Sequence, residues 1–430
     1  MKIYKYNNKY LAYSVVENKI FLSDSIENLN REETYVCNNS ITHENLLNRN
    51  FNKIQLTLIT TSNCNMKCKY CYEDNDLFSY SKKPFSLEQL RTTYEIFKSN
   101  YPNHEMFICF FGGEPFIEKD EIKKFIKETN QRCLDNGDLR PKYGAITNGT
   151  LIDEETAKLI VNNFDKLTIS LDGTKIVHDE NRVYRNGIGT FDNVYNNIKF
   201  LKSIDRHNKL DLACELTLTD AYIKYYNETL IDEIWTLLKD MGFKTVDFVP
   251  VRDENSKLFS DIVILEKITQ KIIDLWFEDL INGKDVIHVP SLYNYLALLL
   301  GNRNDTSLCT SGYNYFSINS DLEIFPCQIS IYFDNNKIGQ IKDDNLHIDF
   351  SKLKKYSNKS EFSICKQCEC IGGCSSFCKV FMSNLDENCY PDSCLYNKIL
   401  FKQILFKLTD INYDLEAKMK LKNNLIRLAK

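Results

Sequence analysis

The sequence predicts an α/β protein: an open, partial (β/α)6 barrel of the TIM type, followed by a small cysteine-rich domain. Between residues 53 and 251, six β-rich runs alternate with amphipathic helical patterns, which is the order of a parallel sheet with helical crossovers. Six units are fewer than the eight that close a barrel, so we expect an open one. After residue 306, short segments punctuated by cysteine indicate a fold organised by bound metal.

The expected strands are rich in Ile, Val, Phe and Thr, and several are almost continuously apolar, as strands buried on both faces are. They cover residues 53–60, 106–111, 143–147, 166–171, 210–218 and 245–251. The expected helices carry apolar residues at helical spacing. They cover residues 87–98, 119–133, 154–163, 192–202 and 226–241.

The composition is that of a globular protein with a substantial core: 430 residues, of which 43% are hydrophobic and 26% charged. The net charge is −5 with both signs interspersed, which argues against a nucleic-acid-binding protein. The first ten residues lack the apolar segment of a secretory signal, and no run approaches the roughly 18 apolar residues of a membrane span. We therefore expect a cytoplasmic protein with no membrane or nucleic-acid partner.

Sixteen cysteines are the most informative feature of the sequence. In a long chain without a signal peptide they indicate metal-bound thiolates in a reducing compartment. Cys64, Cys68 and Cys71 have C-x3-C-x2-C spacing, which can ligate three irons of a [4Fe–4S] cluster and leave the fourth iron open. On spacing alone, a zinc knuckle lacking its fourth ligand or a ferredoxin-like loop also fits. The cysteines expected to be buried structural thiols are Cys37, Cys109, Cys133 and Cys214.

This cysteine loop and the next strand end resemble the radical S-adenosylmethionine (SAM) superfamily. The loop has Tyr70 between its second and third cysteines, and the second strand ends in Gly112-Gly113-Glu114-Pro115, which matches the family's GGEP motif. The resemblance implies that this motif binds the amino group of SAM and that Tyr70 packs beside its adenine. It also implies that SAM occupies the open iron and is cleaved by one electron to a 5′-deoxyadenosyl radical.

The resemblance implies further SAM-binding residues after the third and fourth strands. Thr147 and Asn148 end the third strand, Ser170 lies at the end of the fourth, and Arg182 follows it. By resemblance, Ser170 and Arg182 contact the ribose and the carboxylate of SAM. Asn148 is also interpretable as a turn residue, and His178 as a structural one. All these strand ends share one edge of a parallel sheet, where we expect the site; no residue is assigned as catalytic.

The C-terminal cysteines resemble the SPASM pattern of radical SAM peptide and protein maturases. The resemblance implies two auxiliary [4Fe–4S] clusters, which makes three clusters in all. The ligands implied are Cys365, Cys368, Cys374 and Cys394 for one cluster, and Cys309, Cys327 and Cys378 for the other. The fourth position of the second cluster is open to substrate or filled by Cys370 or Cys389. Two zinc sites are the alternative.

Two positions depart from the SPASM pattern. Leu322 stands where glycine is usual, which puts the local turn in doubt. Tyr315 stands where some relatives carry an additional cysteine.

The resemblance implies an enzyme that modifies a precursor peptide by forming a carbon–sulfur or carbon–carbon crosslink, supplied with electrons by a flavodoxin- or ferredoxin-type reductant. Maturation of an anaerobic sulfatase is the alternative. Those enzymes usually carry an acidic residue after the second auxiliary cysteine, whereas Gln328 follows Cys327 here. A non-catalytic iron–sulfur or zinc protein is a third reading, but it has no need of SAM-binding motifs.

We expect five segments along the chain. They are an N-terminal cap or leader-binding segment at 1–50, the barrel at 51–255, a helical bridge at 256–305, the SPASM domain at 306–400 and a C-terminal helix at 401–430. A leader peptide could add a strand to a sheet edge in the first segment.

Overall fold

A ten-stranded mixed sheet is the frame of this protein, whose structure is a computed structural model. The described residues are 2–14, 19–29, 48–71, 83–251, 258–283, 285–300, 309–332, 334–356, 365, 368–374, 392–411 and 415–428. The strands are β1 (Lys2–Tyr6), β2 (Lys9–Ser14), β3 (Lys19–Ser23), β4 (Lys53–Thr61), β5 (Glu105–Gly112), β6 (Lys142–Thr147), β7 (Lys166–Ser170), β8 (Asp211–Leu218), β9 (Thr245–Pro250), β10 (Tyr315–Ile318), β11 (Glu323–Phe325), β12 (Gly339–Lys342) and β13 (Asn345–Ile348).

Helices connect and cover these strands. They are α1 (Leu87–Asn100), α2 (Lys119–Asn136), α3 (Glu154–Asn163), α4 (Lys175–Asn181), α5 (Phe191–Ile204), α6 (Ala221–Lys224), α7 (Leu230–Asp240), α8 (Ile262–Asn282), α9 (Pro290–Leu299), α10 (Asp392–Ile411) and α11 (Leu415–Leu428). None of the helices in the described ranges combines the length and the apolar character that a membrane crossing requires.

The strand order of the large sheet is β13-β12-β11-β10-β4-β5-β6-β7-β8-β9. Strands β4 to β9 are neighbours in chain order, and each pair is parallel. The predicted partial barrel of six strands and helices is therefore confirmed. The helix expected at 226–241 starts later, at Leu230, because the side chain of Asn227 accepts a hydrogen bond from Thr229 N at 2.9 Å and forms a turn there.

The parallel strands have two buried faces. Alternate residues point to opposite faces of a strand. On the outer face, Phe110 of β5 packs edge-on against Phe125 of α2, with ring centroids 6.2 Å apart. On the inner face, Ile59 and Phe111 belong to a separate small apolar cluster near the carboxyl ends of β4 and β5. The inner face is thus the interior of the partial barrel.

The cysteine-rich region begins as a continuation of the barrel sheet. β10 pairs in parallel with β4, with Ser317 opposite Thr57. β11, β12 and β13 follow as antiparallel neighbours. Phe316 of β10 also packs against Phe97 of α1, with ring centroids 5.5 Å apart. The barrel and the region after it therefore share both a sheet and a core.

The two ends of the chain pack against each other. β1, β2 and β3 form an antiparallel sheet, and Tyr13 of β2 lies against Phe401 of α10 with ring centroids 5.4 Å apart. The single C-terminal helix expected at 401–430 is a pair, α10 and α11, and α10 already begins at Asp392. The apolar face of α10 is buried against β2 and against the bridge helices α8 and α9, which stabilises the helix over its whole length.

Candidate active site

The loops that carry the predicted SAM-binding residues all leave one edge of the sheet. β4 leads into the cysteine loop, residues 62–71, and β5 leads into the GGEP segment. β6 ends at Thr147 and β7 ends at Ser170. Because parallel strands present their carboxyl ends at the same edge, side chains from these four loops can meet there. We call this edge the mouth of the barrel.

Two glycines bring the cysteine loop against the end of β5. Gly113 N donates to Thr61 O at 2.9 Å, and Glu114 N donates to Asn63 O at 2.8 Å. A Cβ atom on Gly112 would lie 2.0 Å from Thr61 O, and one on Gly113 would lie 2.4 Å from Asn63 O. The close approach that requires glycine here is that of the cysteine-loop backbone.

Asn148 fastens the cysteine loop to the end of β6. Its Nδ2 lies 3.7 Å from Cys64 Sγ and donates to Asn65 Oδ1 at 3.0 Å. Its Oδ1 accepts hydrogen bonds from the backbone N–H and the hydroxyl of Thr150, at 2.9 and 2.6 Å. Asn148 is therefore a turn residue, as one interpretation expected, and also a neighbour of the first predicted iron ligand; its contact with SAM stays a prediction.

Glu114 is a fully buried carboxyl group that joins β5 to β6. Its Oε1 accepts from Thr147 Oγ1 at 2.7 Å and from Phe116 N at 3.1 Å, and its Oε2 accepts from Asn148 N at 2.7 Å. Burial raises the pKa of Glu114 to about 7, although these hydrogen bonds act in the opposite direction. The contact of Glu114 with the amino group of SAM stays a prediction, and so does the binding of SAM by Thr147.

Tyr70, Asp172 and Arg182 form a buried polar group beside the cysteine loop. Tyr70 OH donates to Asp172 Oδ2 at 2.6 Å, and Arg182 Nη1 donates to Tyr70 OH at 2.8 Å. Burial raises the pKa of Asp172, and the charge of Arg182 opposes that rise. In the described part of the chain, buried Arg182 Nε has no hydrogen-bond partner. An unpaired buried guanidinium donor fits a ligand with a carboxylate.

His178 packs beside this polar group and contacts the backbone that carries it, as expected for a structural histidine. Its Nδ1 accepts from Asp172 N at 3.2 Å, and its Nε2 lies 2.9 Å from Thr190 Oγ1. The hydroxyl of Thr190 donates to Arg182 O at 2.9 Å, so we assign the ring proton to Nε2. Burial lowers the pKa of His178 well below its ordinary value. The neutral ring therefore fixes the backbone on both sides of the polar group.

Arg185 is a neighbour of the cysteine loop that the sequence did not indicate. Its Nε donates to Cys64 O at 2.9 Å. Lys67 N of the cysteine loop also donates to Val183 O at 2.8 Å, so the segment after α4 holds the loop from its far side. Arg185 contacts a main-chain carbonyl, so the contact depends on how the backbone folds. No sequence motif marks such a residue.

Two carboxylates on the inner face were also missed. Ser170 lies opposite Glu215, and Glu215 lies opposite Asp247, so the three form a row across β7, β8 and β9. Cys214 and Leu216 belong to the outer core, so Glu215 points into the barrel interior, where it is exposed. The available signal was an acidic residue in the middle of an otherwise apolar strand.

The comparisons with known proteins agree with this arrangement. Residues 58–224 match the family model of the radical SAM superfamily. The chain carries a radical SAM domain. Over 372 residues it is 28% identical to the cysteine-type anaerobic sulfatase-maturating enzyme of Clostridium novyi (strain NT), which covers 81% of this chain and 94% of that enzyme. The relationship to sulfatase-maturating enzymes therefore extends beyond the radical SAM domain.

Solved structures confirm the fold around the radical SAM domain. Native anSMEcpe with bound AdoMet has a TM-score of 0.64 at 22% identity, covering 84% of this chain and 99% of that one. SuiB of Streptococcus suis, bound to the precursor peptide SuiA, has a TM-score of 0.50 at 15% identity, covering 80% and 75%. Both matches extend beyond the barrel into the region that follows it.

SAM and an iron–sulfur cluster are the cofactors of a radical SAM domain, and the mouth fits both. The cysteine loop presents three thiols within eight residues, and the unpaired Arg182 Nε offers a donor to an anionic ligand. When bound, these cofactors supply one-electron cleavage of SAM. The residues predicted to hold them are Cys64, Cys68 and Cys71 for the cluster, and Tyr70, Gly112, Gly113, Glu114, Thr147, Asn148, Ser170 and Arg182 for SAM.

Four C-terminal cysteines lie near one another. Burial, followed by the charges of Cys374, Cys365 and Cys368, raises the pKa of Cys394 to about 12. We call these four the C-terminal cysteine group. Cys370 lies among them, and its hydrogen bond to Cys368 lowers the pKa of the latter to about 7. The structure therefore places Cys370 with this group.

Two zinc sites are the alternative prediction for the C-terminal cysteines. Among the residues that the structure describes, no three His, Cys, Asp or Glu side chains lie close enough to share one metal ion. In a [4Fe–4S] cluster each cysteine binds a different iron, so the thiols lie farther apart than ligands around a single zinc. Zinc sites and [4Fe–4S] clusters both stay predictions for these cysteines.

The other predicted auxiliary site is only partly described. Cys309 Sγ lies 3.0 Å from Ser311 Oγ, and Cys327 N donates to Ser330 Oγ at 3.0 Å. Cys378, the third predicted ligand, and Cys389 lie outside the described residues. This ligand set therefore stays a prediction.

Both departures from the SPASM pattern have a structural account. Leu322 has φ 59°, in the left-handed region that favours glycine, at a cost of about 1 kcal/mol. Tyr315 lies on the inner face, where its hydroxyl accepts from Thr57 Oγ1 at 3.2 Å and also bonds to Gln328 Oε1. The tyrosine thus holds the side chain that follows Cys327 at the barrel interior.

Proposed function

We propose that this chain is a radical SAM maturase that abstracts hydrogen from a residue of a precursor peptide. The observation that carries the proposal is the meeting of the cysteine loop with Asn148, Tyr70 and Arg182 at the mouth, where a buried donor is left for an anionic ligand. An electron carrier or a zinc-stabilised binding protein has no use for such a cradle. The proposal extends to all the predicted cluster and SAM ligands.

The protein's own contribution at the mouth is positioning. Gly112 and Gly113 fix the cysteine loop against β5, and Glu114 fixes β5 to β6. Arg182 would orient the carboxylate of SAM. The partly enclosed interior would separate the reactive species from bulk water.

Formation of 5′-deoxyadenosine tests this reaction. Anaerobically reconstituted protein with dithionite and SAM should release it, and Cys68→Ala should abolish the release because one iron ligand is lost. Cys133→Ala is the matched control, since Cys133 is a buried thiol on α2, outside the mouth. No 5′-deoxyadenosine from fully iron-loaded wild type would contradict the proposal.

We also propose three [4Fe–4S] clusters, reduced by a flavodoxin- or ferredoxin-type protein. The grouping of four C-terminal thiols supports this assignment. Iron and sulfide analysis should give about twelve irons per chain. About four irons together with zinc would remove the auxiliary clusters from the proposal.

The reaction that we favour is a carbon–sulfur or carbon–carbon crosslink in the precursor peptide. SuiB, whose structure is bound to a precursor peptide, shares the fold. Gln328 also favours it over sulfatase maturation, because a primary amide cannot act as the proton acceptor that an acidic residue would supply.

Sulfatase maturation is the second candidate, and the relationship to the Clostridium novyi enzyme favours it. With Gln328 in place of a carboxylate, this reaction would need another base. Glu215 is the exposed carboxylate on the inner face beside Ser170, and Asp247 is its neighbour.

Mass spectrometry separates the two reactions. The protein is co-expressed with a short peptide encoded beside its gene, and in parallel incubated with a cysteine-containing sulfatase segment. Loss of a pair of hydrogen atoms from the peptide supports crosslinking. Conversion of the sulfatase cysteine, lost in Glu215→Gln while 5′-deoxyadenosine persists, supports the second candidate instead.

A further inference from the structure

Glu369 is a buried carboxylate inside the cysteine-rich region. It lies between Cys368 and Cys370, and only 7% of the residue is exposed. A buried charge destabilises a fold unless it is paired, so Glu369 needs partners that offset its charge.

The partners of Glu369 come from the opposite end of the chain. Lys2 Nζ donates to Glu369 Oε1 at 3.0 Å, and Tyr4 OH donates to the same oxygen at 3.0 Å. Both belong to β1. The Glu369 side chain is 8% exposed, whereas that of Lys2 is 52% exposed, so Lys2 reaches inward from the surface. Lys398 on α10 is a second cation whose charge acts on Glu369.

The position of β1 is fixed by the helix that carries Cys394. Tyr4 and Tyr6 lie against Phe406 of α10, with ring centroids 6.0 and 4.5 Å away, and Tyr6 OH bonds to Asp410. The same helix thus carries a predicted iron ligand, Cys394, near its start and packs against β1 near its end. Lys2 and Glu369 are therefore brought together by the tertiary fold and not by a flexible surface contact.

We propose that the Lys2–Glu369 ion pair sets the reduction potential of the auxiliary cluster at the C-terminal cysteine group, an inference that rests on the proposed function. A carboxylate beside a cluster disfavours the addition of an electron, and a nearby ammonium group offsets part of that effect. The charge of Glu369 acts strongly because it is shielded from water, whereas that of half-exposed Lys2 acts mainly through its direct contact with Glu369. The N-terminal sheet then takes part in electron transfer as well as covering the region beneath it.

A redox titration of the reconstituted full-length holoenzyme, monitored by electron paramagnetic resonance, tests the proposal. Glu369→Gln removes the negative charge and should raise the midpoint potential of one of the two cluster signals that do not respond to SAM. Lys2→Met removes the positive charge and should lower it. Lys5→Met removes the same charge from an exposed position of the same strand and should leave the midpoint unchanged. Iron content is measured for each variant.

Opposite shifts of the midpoint potential in the two charge variants, at full iron content, support an electrostatic role. A purely structural role would change iron content or stability but would not shift the potential up in one variant and down in the other. Wild-type midpoints in both charge variants, or shifts in the same direction, would overturn the proposal. If Glu369→Gln loses iron, the test depends on Lys2→Met alone, because replacing the half-exposed Lys2 should not disturb the cluster ligands. An unchanged midpoint potential in Lys2→Met would then overturn the proposal. A wild type that makes 5′-deoxyadenosine but shows no auxiliary signal would contradict the cluster assignment itself.

Discussion

The side chains at the mouth are already hydrogen-bonded to one another before any ligand is considered. Glu114 accepts three hydrogen bonds from protein groups, and the hydroxyl of Tyr70 lies between Asp172 and Arg182. Such a network keeps the site in one arrangement, because each buried group would lose its partners by moving. The exception is Arg182 Nε, which has no hydrogen-bond partner in the described part of the chain and which we propose as the donor to an anionic ligand.

Glu114 should make stability depend on pH. Its pKa is about 7 in the folded protein against an ordinary value of 4.5, so the folded state holds an extra proton between these values. Its contribution to stability is complete below about pH 4.5 and is lost as pH rises through 7, by roughly 3 kcal/mol at 1.36 kcal/mol per pKa unit.

Urea unfolding of the apo-protein at pH 5 and pH 8.5 measures this loss. Glu114→Gln gives the comparison, since it loses the bond from Asn148 N at both pH values but cannot titrate. The difference between wild type and variant should therefore change with pH. Parallel pH profiles of the two proteins would show that Glu114 does not titrate in this range.

At the scale of elements, the sequence predicted the barrel closely because each strand and helix carries its own periodic pattern. All six strands were located, and the start of α7 was misplaced only where the Asn227 turn interrupts the pattern. The pairing of β10 with β4 was not predictable, because strand partners separated by most of the chain leave no local signal. The motif residues could be named because each motif is contiguous in the sequence. Arg185 left no such motif, and the local signal of Glu215, an acidic residue in an apolar strand, was overlooked.

Gly113→Ala should disturb the cysteine loop. The new Cβ would lie 2.4 Å from Asn63 O, and relieving this collision must move the loop backbone. We expect reduced iron loading at the first cluster, loss of SAM cleavage and a destabilisation on the order of 2 kcal/mol.

Gly187→Ala is the matched control for this substitution. Its Cβ would meet nothing within 4 Å, although φ is +84°, so only backbone strain of about 1 kcal/mol is expected. Iron content and 5′-deoxyadenosine yield should stay near wild type. Equal loss of iron in both variants would contradict this explanation, because the loss would then not depend on the collision with Asn63 O.

For the whole molecule, a continuous core links the N-terminal sheet, the barrel, the bridge and α10. Phe401 of α10 is fully buried and contacts Tyr13 of β2 and Tyr295 of α9, with ring centroids 5.4 and 5.8 Å away. Segments that looked separate in the sequence are therefore energetically coupled. We expect the apo-protein to unfold in one cooperative transition.

Phe401→Ala tests this coupling. It should destabilise the protein by about 3–5 kcal/mol. The two tryptophans, Trp235 and Trp276, lie in the barrel and the bridge, so their fluorescence reports on regions distant in sequence from the substitution. Fluorescence and circular dichroism should shift together; a fluorescence transition left at its wild-type midpoint would mean that the segments unfold independently.

The place of β10 beside β4 has a consequence for biosynthesis. While the nascent chain emerges from the ribosome, the free edge of β4 has no neighbour until the residues of β10 have been translated. An open strand edge of this kind invites pairing with other chains. A half-finished barrel therefore exposes this edge during translation, at a stage when Cys64, Cys68 and Cys71 have been made and Cys394 has not.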